Sequence, residues 1–394
     1  MPSTPRRKST GAPRIAVIGA GVIGLACAQE LKRRGADVVV YERGMELGAG
    51  VTVRAAGMLG AAFEWALEAE QLALAALARR SGELWPDFAA QLERQGGGPV
   101  EFSREGALVV ARTAAEIAWI DGLAVACQVR GLPVRRLSAA DLKREDRAIT
   151  GQPPAGLLLE GDRQVDPQLV LQRLAAALGR AGVGIRYGRV VERVVVGKDL
   201  QMPDGDRFDQ LVLATGAGAL PRFVGARGET VETGLPELVP VKGQMLALAT
   251  VDGAPRHVIH TRDIYIAPKS RWVLVGATSE RGKSDTTTDA ATIARLRASA
   301  ATIAGALEKA PEIVAWAGVR PGTPDDQPLI GETAIPGVFA ALGHYRNGVL
   351  FAPATAEIVA EMTIDAKVSP LARPFDARRF DKRASPSHSR SAKA

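Results

Sequence analysis

At 394 residues the chain is longer than one small core needs and suits two interleaved domains. Hydrophobic residues at 46% and charged residues at 24% mark a globular protein, and no apolar run of about 18 residues reads as a membrane span. The net charge of +7 is concentrated at the ends: residues 1–14 carry +4 and residues 373–394 carry +5, leaving the body at −2.

Only Phe375 and Phe380 interleave those terminal charges, too few for a base-stacking platform, so no nucleic-acid partner is expected. Residues 1–13 and 373–394 are rich in Ser, Pro and Lys/Arg and read as disordered basic tails. The first residues lack the apolar stretch of a secretory leader, and a cytoplasmic location is expected. Cys27 and Cys127 lie in helix-like stretches outside any CxxC pair and read as buried packing residues. His257, His260, His344 and His388 make no metal cluster, and no metal site is expected. His257 and His260 are three apart in a strand-like segment, which turns them to opposite faces.

In chain order, Arg14–Ile18 is a β-branched run, followed by GAGVIG, an amphipathic helix through LACAQELKRRG, and a second strand at Asp37–Tyr41 that ends at Glu42. Together these make a β-α-β unit of about 30 residues. Residues 61–80 are Ala/Leu-rich without Gly or Pro and predict a helix. Val100–Ala111 alternates like a strand or hairpin. Asp166 and Pro167 open a helix over 166–182 as N-cap and first residue. Ile185–Val196 and Asp209–Ala214 predict strands, 237–250 and 256–276 longer strands with turns, and 289–309 a helix. Strands follow at 312–320 and 337–342, and the final helix is expected over 352–364, entered through Pro353. Strands alternating with helices at both ends imply a parallel sheet, and the strand-rich middle implies a second, more antiparallel layer.

Gly19, Gly21 and Gly24 form GxGxxG between the first strand and the first helix. In this pattern the first glycine permits the tight turn. The second lets the backbone approach a pyrophosphate, and the third lets the helix pack close to the strand. The helix N-terminus then offers free N–H groups to the phosphates. Glu42, 23 residues after Gly19, suits a carboxylate that accepts from ribose hydroxyls. The motif does not separate FAD from NAD. The later LVLATGAGA, with Thr215 and Gly216, resembles FAD-binding oxidoreductases, and that resemblance implies FAD.

Four further segments resemble the D-amino-acid oxidase family, and within it the bacterial glycine oxidases of thiamine biosynthesis. They are RAAGMLGAAFE at 54–64, DIYIAPK at 263–269, AGVRPGTPDDQPLIGE at 317–332 and GHYRNGVLFAPATAEIVAEM at 343–362. Phe351 departs from the aliphatic residue usual there, and the tails match nothing in the family. The resemblance implies an α/β fold in which a Rossmann-like FAD-binding domain (14–85, 150–225 and 315–372) interleaves with a substrate domain (86–149 and 226–314) built on a mixed, largely antiparallel sheet.

It also implies residue roles. Val22, Ile23, Glu42 and Arg43 would contact the adenosine half of FAD. Val51, Thr52, Ala56, Gly57 and Met58 would lie along the ribityl chain and flavin, and Val191 would hold the adenine through its backbone. His344, Tyr345, Arg346, Asn347, Gly348, Val349 and Leu350 would wrap the flavin's pyrimidine edge. Arg320, Arg346 and Tyr265 would face a small amino-acid substrate, with O2 as electron acceptor. The residue types suit these roles, because a guanidinium fork matches a carboxylate and a phenol adds a neutral hydrogen bond. Arg346 has a second reading, in which it only orders its loop. The expected reaction is oxidative deamination of glycine. A sarcosine or D-amino-acid oxidase, a dehydrogenase with another electron acceptor and an RNA-associated flavoprotein are the alternatives. Oligomeric state is left open, homo-oligomers included.

Overall fold

The structure, a computed structural model, describes residues 11–67 and 72–381. Residues 1–10 and 382–394, most of the two expected basic tails, and residues 68–71 of the expected helix lie outside that range. Two large sheets organise the rest. The first has six strands in the order Leu329–Glu332, Val338–Leu342, Gln210–Leu213, Arg14–Ile18, Asp37–Tyr41 and Gly184–Arg186. All its pairings are parallel except that of the first two strands. The strand Arg14–Ile18 is central, with Ile15 beside both Val38 and Gln210. Parallel strands need covering on both faces. The helices Val22–Arg33, Leu72–Gly96, Pro167–Arg180 and Gly348–Thr363 build the apolar cluster on one of them, where Leu25, Leu77, Leu174 and Val359 are fully buried.

The second sheet has nine strands and is antiparallel apart from the pairing of Val258–His260 with Ala107–Ala111. Its long strands Val239–Leu248 and Glu312–Gly322 lie side by side, with Val241 opposite Arg320. Tyr265–Pro268 and Val273–Gly276 continue it, with Tyr265 opposite Gly276. This is the mixed α/β architecture expected. Among the described residues no helix is long and apolar enough to cross a membrane.

Several boundaries differ from the sequence expectation, each for a physical reason. The run 185–196 is two strands in different sheets, Gly184–Arg186 and Arg193–Val196, separated by a turn at Gly188 with φ +65°. The helix expected over 61–80 is Ala61–Leu67 followed by Leu72–Gly96, and the second runs on through Pro86. The 289–309 helix stops at Ala301 and gives way to a single 3₁₀ turn at Gly305–Leu307. Ala155–Leu159 joins the nine-stranded sheet, although sequence places 150–225 with the nucleotide unit. Glu312–Gly322 carries that sheet past residue 315, the expected boundary. Within the expected C-terminal tail, the described residues 373–381 are packed. Phe375 and Ala377 are fully buried, and Arg379 donates to both carboxylate oxygens of Asp325 at 2.8 Å, so the stretch packs rather than fraying.

Candidate active site

The GxGxxG turn folds as its glycines allow. Gly19 has φ +110°, and a Cβ there would collide with the carbonyl of Ala214. A Cβ at Gly24 would collide with the carbonyl of Gly19, so only glycine lets helix Val22–Arg33 sit so close to the turn. Gly21 is different. A Cβ there would meet only Thr52 Oγ1, at 3.5 Å, and the residue lines a cavity of about 590 Å³. Gly21, at the N-cap, has no side chain of its own to cap the helix. Bare glycine backbone beside a helix N-terminus suits a pyrophosphate. The Glu42 carboxylate accepts from Ala20 N at 2.8 Å and Gly44 N at 2.7 Å, which anchors it across the strand–helix turn with lone pairs to spare. Thr52 Oγ1 accepts from Val22 N at 3.1 Å, tying the 3₁₀ turn Val51–Arg54 to the same helix end.

The cavity runs from this turn between the two sheets to Arg320. Gly21, Val22, Ile23, Val51, Thr52, Ala56, Gly57, Met58 and Gly216 line it, together with His344, Tyr345, Arg346, Asn347, Gly348 and Val349. Tyr265 and Arg320 stand on the same wall. Seven of the expected residues do not line it. Gly19 and Gly24 shape the turn behind it. Glu42 lies at the turn's flank, Arg43 is exposed, and Thr215 Oγ1 donates to the Gly218 carbonyl at 3.3 Å. Val191 is buried with Phe208 in a separate apolar cluster. Leu350 is turned into the main core, where its carbonyl accepts from Ser81 Oγ and Trp85 Nε1 at 2.5 and 2.9 Å.

The loop before the last helix carries its own constraint. Tyr345 adopts φ +48°, a left-handed conformation uncommon outside glycine. The buried His344 ring pairs through Nε2 with Thr355 Oγ1 at 2.9 Å, and burial pushes its imidazole down to about 3. Arg346 is held by an acid: its Nε and Nη2 donate to Glu64 Oε2 at 3.1 and 2.9 Å, and Asn347 Nδ2 donates to the same oxygen at 3.0 Å. Glu64 is presented by helix Ala61–Leu67. Its first turn is held by the buried Asp162, which accepts from Ala62 N and Phe63 N at 2.7 and 3.2 Å. Of the two readings of Arg346, this geometry matches the loop-ordering one.

Arg320 differs from Arg346. It is half-buried, and among the described residues no carboxylate lies within ion-pair distance; Nη1 donates to the Thr278 carbonyl at 3.0 Å. A Cβ at Gly243 would collide with the guanidinium, so that glycine makes room for it. Tyr265 lies nearby, its phenol crossing Gly276 toward the Met245 sulfur at 3.7 Å. Burial pushes the phenol above its usual value, and the Arg320 charge pulls the other way. A guanidinium with no acid among the described residues, on the same cavity wall as a neutral hydroxyl, suits a small anion.

Sequence reasoning missed Gly243, Met245, His260 and Thr278 as parts of the wall. Glu64 and Phe63 stood inside a quoted segment without being singled out, and no local signal marks the others. His257 and His260 do turn apart. His257 Nδ1 meets Asp146 Oδ2 at 3.1 Å, whereas His260 stacks on Phe63 with ring centroids 3.9 Å apart.

Comparison with known proteins gives the cavity its context. A bifunctional protein ThiO/ThiG of a Nostoc species is 34% identical over 389 residues, covering 94% of this chain and 56% of that protein. The chain thus spans little more than half the length of this relative. The glycine oxidase of Geobacillus kaustophilus is 31% identical over 355 residues, covering 88% of this chain and 92% of that enzyme. The crystal structure of glycine oxidase from Geobacillus kaustophilus superposes with a TM-score of 0.83 at 30% identity, covering 93% of this chain and 99% of that one. The family model "FAD dependent oxidoreductase" (DAO) matches residues 14–362, a span that holds both large sheets and the whole cavity wall. The chain therefore belongs to the DAO family of FAD-dependent oxidoreductases and takes FAD as its cofactor.

Proposed function

We propose that the chain oxidises glycine. The product is an imino acid that water hydrolyses to a 2-oxo acid and ammonia, and O2 is reduced to H2O2. The observation that carries this reading is Arg320, half-buried on the cavity wall without an acidic partner among the described residues and beside the Tyr265 hydroxyl. An anion of carboxylate size satisfies both groups at once. The reading is supported by glycine oxidase relatives matched over more than nine-tenths of their length. The bifunctional ThiO/ThiG relatives support a role in forming the thiazole of thiamine.

In this reading Gly21, Val22, Ile23 and Glu42 take the adenosine and pyrophosphate end of FAD. Val51 to Met58 and His344 to Val349 enclose the flavin, and the helix starting at Gly348 turns an uncapped N-terminus toward it. That helix end favours negative charge on the reduced ring. Bound FAD supplies the electron acceptor for the Cα–H bond and the route to O2. Arg320 and Tyr265 hold the carboxylate, which fixes where the Cα hydrogen lies. The enclosing wall excludes water, and the substrate amine reacts as the neutral base. The cofactor carries the chemistry while the protein supplies position and field.

Arg320→Ala should raise the glycine KM at least about tenfold, since a hydrogen bond to a charged group contributes roughly 1.5–3 kcal/mol. An unchanged KM removes Arg320 from the site. Steady-state rates on glycine, sarcosine and D-alanine rank the substrates, and peroxide yield per turnover identifies the electron acceptor.

A further inference from the structure

Arg320 stands on a mount with two sides. Below it, Gly243 leaves the space that the guanidinium fills. At its edge, Nη1 donates to the carbonyl of Thr278 at 3.0 Å. A planar guanidinium held at one edge aims its remaining donors in a set direction. The position of that carbonyl therefore decides the angle of the fork. Thr278 lies just past the strand Val273–Gly276, where the strand's own ladder no longer holds it.

Other bonds hold it instead. Thr278 N donates to the Gln244 carbonyl at 3.2 Å, and its Oγ1 accepts from Gln244 N at 2.9 Å. The same hydroxyl donates to Glu280 Oε1 at 2.7 Å, and that oxygen also accepts from Gln244 Nε2 at 2.8 Å. Gln244 is buried, and its Oε1 accepts from Asp289 N at 2.7 Å, at the N-cap of helix Ala290–Ala301. Lys283 Nζ meets the other Glu280 oxygen at 2.9 Å. The bonds from Gln244, Lys283 and Thr278 hold the Glu280 carboxyl down at about 2. Neither Glu280 nor Gln244 lines the cavity, whereas Thr278 and Arg320 do.

We propose that Glu280 is a positioning residue: it fixes the Thr278 carbonyl and thereby aims Arg320 at the substrate carboxylate. This rests on the reading of Arg320 given above.

The test uses the FAD-loaded full chain and acetate, a carboxylate without an amine, titrated through the change it causes in flavin absorbance. Glu280→Ala and Thr278→Val should each raise the acetate Kd and the glycine KM by about fivefold, the size of one lost hydrogen bond, with a smaller change in kcat. Glu280→Gln keeps an acceptor for the Thr278 hydroxyl and should recover part of the loss. The double variant Glu280→Ala/Thr278→Val should be no worse than either single change, because both break one chain of contacts. FAD content and melting temperature are measured on every variant. Unchanged acetate affinity in folded Glu280→Ala or in Thr278→Val overturns the proposal, and so does a loss of affinity that simply tracks loss of FAD or of folding. If Glu280→Ala does not fold, Thr278→Val decides the matter. Arg320→Ala serves as the reference. If it binds acetate normally, the reading of Arg320 itself fails, whatever Glu280 does.

Discussion

His260 and His344 are the buried histidines that line the cavity, and burial alone pushes each imidazole down to about 3. Both stay neutral in the folded chain, whereas in the unfolded chain they take up protons below about 6.5. The unfolded state binds more protons in that window, so stability falls as pH drops from about 6.5 toward 3, by up to about 1.4 kcal/mol per pH unit for each group. His260→Phe keeps an aromatic ring against Phe63 and removes one of these titrations. Its melting temperature should fall less steeply than the wild type's between pH 6.5 and 4, in a series of melts across that range. Parallel curves for the two proteins would show that His260 titrates normally when folded. At this same scale, sequence singled out Arg320 and Tyr265 because both sit in distinctive segments, and the structure puts the two on one cavity wall. It set Arg320 above Arg346 on the surrounding motif alone. The physical difference depends on Glu64, 282 residues from Arg346 along the chain, meeting that guanidinium, while among the described residues no acid meets Arg320.

The last helix shows what an element-level reading captures and what it loses. Pro353 suggests a helix starting at 352, because proline suits a first turn. The helix starts at Gly348 instead, which puts Pro353 inside it. Proline has no N–H to donate and crowds the carbonyl four residues back. The long helix Leu72–Gly96 bonds the turn next to it: Ser81 Oγ and Trp85 Nε1 donate to the Leu350 carbonyl, three residues before the proline, and Ala354 N donates to Ser81 Oγ at 3.4 Å. Sequence showed the proline but had no means of locating partners some 270 positions away. Ser81→Ala leaves buried backbone groups short of a partner and should destabilise the protein by about 1–3 kcal/mol. Chemical denaturation measures this, and an unshifted midpoint would mean that these backbone groups do not depend on Ser81.

For the whole molecule, the cavity belongs to neither large sheet alone. Its walls come from the GxGxxG turn, the 51–60 loop, the nine-stranded sheet and the loop before the last helix. A ligand that touches all of these binds only the folded chain and stabilises it. At a free concentration about 100 times its Kd the gain is about 2.7 kcal/mol. Stripping FAD should therefore lower the melting temperature, and adding it back should restore the holo value. Identical melting of the two forms would mean that the cavity does not clamp the cofactor.

By itself the sequence determined the nucleotide-binding turn, the alternation of strands and helices around it, and the four segments whose resemblance led to FAD and a small amino acid. Those features are set by residues a few positions apart: a glycine that must avoid a carbonyl, a Pro after an N-cap, a β-branched run. Only the tertiary structure decided where the elements end, that residues 374–381 pack, that Leu350 and Val191 face cores, and that Arg320 rests on Thr278. These outcomes depend on close pairs such as Arg320 and Thr278, 42 residues apart, or Leu350 and Trp85, 265 apart. Local pattern carries no information about contacts made at that separation.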